Sequence, residues 1–144
     1  MPELEVPAEA GKRGDDVRLV MSSRQRAILC ARDALRFKAL DLVVLDVSRF
    51  SSIADYFIIC SGKSSRQVQG IADNLERALR ELGIRPTGSE GRREGHWVLM
   101  DYADVIIHIF YEPVRAFYDL ESLWSEASVV EREAYGGELG AGTD

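Results

Sequence analysis

Three aspartates, a histidine and a Gly-Lys-Ser turn are the residues of this chain with chemistry to offer. Asp46, Asp101 and Asp104 are of the type that holds Mg²⁺ for phosphoryl or nucleotidyl transfer. That chemistry needs carboxylates that converge within a few ångströms on the metal. Acids at i and i+2 of a strand share a face. Position 103 is Ala and position 106 is Ile, so neither Asp101 nor Asp104 has an acidic neighbour at that spacing. Both are expected instead to bond nearby backbone N–H groups in a turn. No metal site and no cofactor is read from these residues.

Gly62-Lys63-Ser64 resembles the end of a phosphate-binding loop, but the full motif needs a glycine five residues earlier, and that residue is Phe57. The expected role is a strand-to-helix turn with Ser64 or Ser65 as N-cap. His108 alternates with Ile106 and Phe110 on one strand face. It is expected to be a hydrogen-bonded core residue rather than a general base, and His96 a solvated loop residue. Trp97 and Tyr102 are large aromatics with a polar tip, one at a strand start and one in a turn. That placement suits an interface anchor. A competing expectation packs Trp97 beneath the long helix. Tyr102, in the turn, is expected outside the core.

These side chains must be carried by an alternation of helices and short strands. Ser22 or Ser23 caps a helix with Ile28, Ala31 and Leu35 at helical spacing, ending at Asp41. Leu42–Val47 and Tyr56–Cys60 read as strands joined by a loop at Arg49–Ser52. The stripe Val68, Ile71, Leu75, Leu79, Leu82 predicts a long helix over 65–82, with Gly83 as its left-handed terminator. Arg85–Gly88 is expected to be a short strand and Glu90–Gly95 a polar loop. Two apolar runs flank Asp101-Tyr102-Ala103-Asp104, and their length and Val/Ile content predict strands. Their near-continuous apolarity predicts cover on both faces. Pro113 breaks the chain, and a helical turn or two covers Phe117–Trp124, with Tyr118, Leu120, Leu123 and Trp124 as a lid on the sheet edge. The pattern predicts an α/β (α+β) fold, a mixed sheet of about five strands flanked by helices.

The 144 residues are the length of one domain. The net charge of −6 sits at the ends: residues 1–21 carry −2 and residues 126–144 carry −4, leaving 14 acids and 14 bases between them. A balanced centre lacks the basic excess of a direct nucleic-acid binder. Cys30 and Cys60 form no Cys-x-x-Cys and have no nearby His, which argues against zinc and against a disulfide framework. Their use fits a reducing, cytoplasmic setting. No apolar run approaches the ~20 residues of a membrane span, and the acidic N-terminus does not read as a targeting peptide. Residues 1–21 are expected to be a flexible arm, 22–127 the folded domain, and 128–144 a disordered acidic, Gly-rich tail.

Taken in order, the segments Asp41–Val47, Ser52–Val68, Glu90-Gly91, Trp97–Phe110 and Arg115–Trp124 resemble the ribosomal silencing factor family, also called Iojap. The likeness spans about residues 24–127. It implies a nucleotidyltransferase-like fold without catalytic residues, and a factor rather than an enzyme. It further implies binding to the large ribosomal subunit through large-subunit protein fourteen, a position that sterically blocks joining of the small subunit and represses translation when nutrients are scarce. It implies little direct nucleic-acid contact and the capacity to form a homodimer. By position, Trp97, Asp101 and Tyr102 would lie on the docking surface, with Asp104 and His108 close by. One departure is Ala103, where the family usually has Gly; a turn needing φ > 0 there would be strained. A magnesium-dependent, nucleotidyltransferase-like enzyme built on Asp46, Asp101 and Asp104 is the alternative reading, and a dimeric adaptor unconnected with ribosomes is a second.

Overall fold

The computed structural model describes residues 21–136. The arm expected over 1–21 lies outside the described residues but for its last position, as does the tail beyond 136. Six strands form one mixed sheet: β1 (Leu40–Asp46), β2 (Tyr56–Gly62), β3 (Gly88–Glu90), β4 (Trp97–Asp101), β5 (Val105–Tyr111) and β6 (Ser128–Val129), in the order β3-β4-β5-β2-β1-β6. Only β2 and β5 pair in parallel, Tyr56 opposite Val105 and Gly62 opposite Tyr111. The remaining neighbours are antiparallel. The helices are α1 (Ser23–Arg36), α2 (Ser65–Glu81), α3 (Glu112–Tyr118) and α4 (Leu120–Leu123).

Local chemistry sets the helix ends. Ser22 and Gln25 form a reciprocal capping box at the start of α1, so two otherwise orphaned N–H groups are satisfied. The helix ends at Phe37, earlier than Asp41. Lys38 there takes a left-handed φ of 74°, and Asp41 lies inside β1 at an irregularity in its pairing with β2. Ser64 caps α2 by accepting the Gln67 N–H at 3.0 Å, and Lys63 N–H donates to Gln67 Oε1. The Gly-Lys-Ser turn is thereby occupied by its own capping residues. At the other end Gly83, with φ 84°, donates to the Arg80 carbonyl, while Ile84 donates to Leu79. This double bond pattern closes the helix and drives Ile84 into the core. Pro113 opens α3 rather than breaking the chain, because its missing N–H is one the first helical turn would leave unpaired anyway.

Two cores lie on the two faces of the sheet. On one face α1 and α2 bury Ala27, Cys30, Ala31, Val68, Ile71, Leu75 and Leu79 against Val44, Ile58, Val98, Met100, Ile107 and Ile109. On the other, Leu45, Phe57, Ile59, Ile106 and Phe110 are covered by Val114, Leu120, Trp124 and Ala127 from α3, α4 and the following turn. The lid thus lies over a face rather than an edge: Leu120 and Trp124 pack on its core, Tyr118 is half exposed against Trp97, and Leu123 is exposed. Both faces of β5 are buried, as its apolar run predicts, whereas β4 alternates buried and half-buried. The cover from α3 and α4 does not extend fully across β4.

The short strand expected at 85–88 forms instead at 88–90. Residues 128–136, expected to be disordered, are part of the fold. Ser128–Val129 pairs with β1, Val130 N–H donates to the Val44 carbonyl, and Val130 and Tyr135 are buried in the helix-side core. The expectation failed because Glu and Gly composition says nothing of two apolar residues spaced to reach a distant strand and helix.

Candidate functional site

The three aspartates do not converge. Asp46 faces the helix side, opposite Tyr56, and its Oδ1 accepts from Ser48 N–H and Oγ–H at 3.0 and 2.7 Å. Asp101 lies three strands away, in step with Trp97 and Leu99 on the other face, and accepts the Ala103 N–H at 2.8 Å. Asp104 turns toward α1, its Oδ1 3.8 Å from Arg26 Nε. Asp46 and Asp101 are engaged locally, as turn-forming aspartates are, whereas Asp104 departs from that expectation: among the described residues its Oδ1 bonds no backbone N–H and faces only the distant Arg26. Among the described residues, no three His, Cys, Asp or Glu side chains group as metal ligands. Cys30 and Cys60 are free thiols, buried, with their pKa pushed up to about 12 by that burial; a protonated buried thiol is a poor nucleophile.

Trp97 and His108 meet on the half-covered face. Trp97 does not pack beneath α2. Its indole Nε1–H donates to His108 Nδ1 at 3.1 Å, and its ring packs on Phe110 and Tyr118 at centroid distances of 4.7 and 5.1 Å. His108 is 4% exposed, with the Phe57 ring edge-on at 5.0 Å. Burial pulls its pKa down to about 4, so the imidazole is neutral. Because Nδ1 accepts, the proton sits on Nε2. The expectation of a hydrogen-bonded core histidine holds, and the bond is to the one aromatic with a donor to give.

Tyr102 contradicts its expectation. It is 1% exposed, among the largest side chains in the helix-side core, and burial pushes its pKa up. The reason is parity: Val98, Met100 and Tyr102 continue one alternation past the end of β4, so Tyr102 lands on the buried face. That signal was legible in the sequence, but the polar surroundings of the turn pointed the other way. Trp97 and Asp101 therefore share one face, at opposite ends of β4. Tyr102 points into the other face, and Asp104 turns toward α1.

The face around Trp97 has company that sequence reasoning missed. His96, Trp97, Pro113, Val114, Phe117 and Tyr118 line a cleft of about 410 Å³. Phe117 is 79% exposed, at the end of a helix held in place by Arg115, which donates to Ser61 Oγ at 2.8 Å and to Glu121 Oε2 at 2.7 and 3.0 Å. A second cleft of about 400 Å³ lies between Phe50, Leu123, Trp124, Glu126 and Ala127. Phe50 and Leu123 are exposed at its wall. Both clefts lie on the sheet face that α3 and α4 only partly cover, with large apolar side chains exposed at their walls.

Such a surface on a mixed sheet with no convergent carboxylates fits the likeness read from the sequence, and comparison with known proteins bears it out. Residues 20–141 match the family model described as ribosomal silencing factor during starvation. The chain is 45% identical over 96 residues to the ribosomal silencing factor RsfS of Halalkalibacterium halodurans, covering 67% of this chain and 82% of that one. It is 42% identical over 94 residues to RsfS of Bacillus subtilis, covering 65% and 80%. A crystal structure of a Chromobacterium violaceum protein superposes with a TM-score of 0.71 at 35% identity, over 73% of this chain and 88% of that one. With the fold, the ordered motifs and the length of the match in agreement, the chain belongs to the ribosomal silencing factor family.

Proposed function

We propose that this protein docks on the large ribosomal subunit in the cytoplasm through large-subunit protein fourteen, and represses translation by occupying the volume the small subunit needs. The observation that carries this reading is the half-covered sheet face, where Trp97 and Phe117 wall an apolar cleft with Asp101 on the same face. An aromatic centre rimmed by charge is the anatomy of a protein interface. Asp101 meets basic side chains at the rim. His108, Tyr102 and Asp104 serve from within: His108 holds Trp97, Tyr102 fills the core under the β4–β5 turn, and Asp104 ties that turn to α1. The mechanism needs no reacting group, only a rigid domain in the right place. A homodimer of the free protein is part of the same reading, and sedimentation velocity reads it directly.

Co-sedimentation with separated subunits tests it. Wild type should pellet with the large subunit and not with the small one. Trp97→Ala, checked by circular dichroism for an intact fold, should bind at least ~2 kcal/mol more weakly, the scale of a hot-spot truncation. Wild type that pellets with neither subunit removes the reading.

A further inference from the structure

His108 is an expensive residue for its place. It sits in the middle strand face of a core made of Phe57, Ile59, Ile106 and Phe110, where a leucine would pack with no polar atom to satisfy. Its Nε2 is buried without a partner, and a buried donor left unpaired costs on the order of 1–3 kcal/mol. Among the described residues, the one bond its side chain makes is with the Trp97 indole, 3.1 Å from Nδ1. Trp97 lies diagonally across the β4–β5 pair, since Phe110 is its direct partner and Leu99 is that of His108. On the solvent side Trp97 borders the cleft with Pro113, Val114 and Phe117.

We propose that His108 is a positioning residue for the docking face: it fixes the Trp97 ring as a wall of the cleft and takes up its N–H, without itself meeting the partner. This rests on the docking role given to Trp97 above. Two consequences follow from the geometry. The ring is held before the partner arrives, so little rotamer freedom is lost on binding. And the indole N–H is already spent, so Trp97 offers its partner an apolar surface, suited to an aliphatic or aromatic side chain rather than a hydrogen-bond acceptor.

Trp97 and Trp124 are the only tryptophans, so a Trp124→Phe background makes Trp97 emission readable alone. In that background His108→Leu should red-shift the emission and raise acrylamide quenching, and it should weaken large-subunit binding roughly three- to tenfold by the entropy of one freed side chain. His108→Asn, whose Oδ1 falls near the place of Nδ1, should restore both. Combined with Trp97→Phe, which keeps an aromatic ring but has no N–H, His108→Leu should cost nothing further, because the coupling is gone. His108→Leu with unshifted emission and undiminished binding overturns the proposal. So does a binding loss that persists in full with Trp97→Phe, since His108 would then act by another route. If the parent protein itself fails to bind the large subunit, the functional reading fails, and the emission shift alone decides whether His108 holds Trp97.

Discussion

At the scale of single residues, Tyr102 and His108 show how burial assigns roles. Tyr102 reads as a surface anchor by type and turn position, yet it fills the helix-side core. Tyr102→Ala should therefore lower stability by ~3–5 kcal/mol, as large aromatic truncations do, and any loss of ribosome binding in it would report unfolding rather than a lost contact. Tyr102→Phe should be neutral or stabilising in urea denaturation, since the hydroxyl is buried without a partner. His108 makes a pH prediction. Its folded pKa lies near 4, below the ~6.5 of free imidazole, so the unfolded chain takes the proton first. Its contribution is whole above about pH 6.5, shrinks as pH falls from there, and is gone below about 4, for a total on the order of 3 kcal/mol. Urea titrations at pH 7 and pH 4.5 should show this slope in wild type and a flatter one in His108→Leu.

At the scale of elements, the β4–β5 turn is where local chemistry is under strain. Ala103 holds φ at 73°, a conformation that costs an L-residue free energy and glycine almost none. The Asp101 carboxylate pins its N–H, and Tyr102 N–H donates to the Val105 carbonyl at 2.9 Å. The turn is over-determined on both sides, so the strain is absorbed rather than relieved. Ala103→Gly should raise stability by ~0.5–1 kcal/mol, read as a higher urea midpoint with unchanged slope. Glycine is indispensable nearby: a Cβ on Gly95 would stand 2.7 Å from the Ser65 carbonyl. That close approach, with Gln69 bonding the Arg92 and Arg93 carbonyls at 3.0 and 2.8 Å, seats the 91–95 loop on α2 and so sets where Trp97 begins.

At the scale of the whole molecule, the chain covers part of one edge of its open sheet with its own later segment. β6 covers the outer edge of β1, and Tyr135 returns to the helix-side core, its carbonyl accepting from Arg32 at 3.5 Å. An uncovered β1 would offer a row of free backbone groups to another copy. Truncation after Ala127 should cost several kcal/mol, from two apolar side chains at ~1.5–3 kcal/mol each, and should raise aggregation in light scattering; a truncated chain as stable and monodisperse as the parent would show the segment to be an ornament. The rest of the molecule is asymmetric by design of its cover. Two long helices seal one face, two short ones part of the other, and what remains open is the face proposed to meet the ribosome.

The sequence by itself determined the types of the two long helices and of β1, β2, β4 and β5, narrowed the caps of α1 and α2 to adjacent serines, and pointed to the glycine that ends α2 and to the family. These are written in local signals: hydrogen bonds within a turn, periodicities of 2 and 3.6, and an ordered set of motifs. It also foretold that Asp46 and Asp101 would serve as turn residues, though not that Asp104 would face Arg26, and that His108 would be a bonded core histidine. What only the tertiary structure decided was which side chains share a face and which reach solvent. Tyr102 went inward, Trp97 outward onto His108, Phe117 into the open, and 128–136 onto a strand more than eighty residues earlier. Such outcomes depend on contacts between residues far apart in the chain, and burial, which sets both their energy and their pKa, is a property of those contacts rather than of any one stretch of sequence.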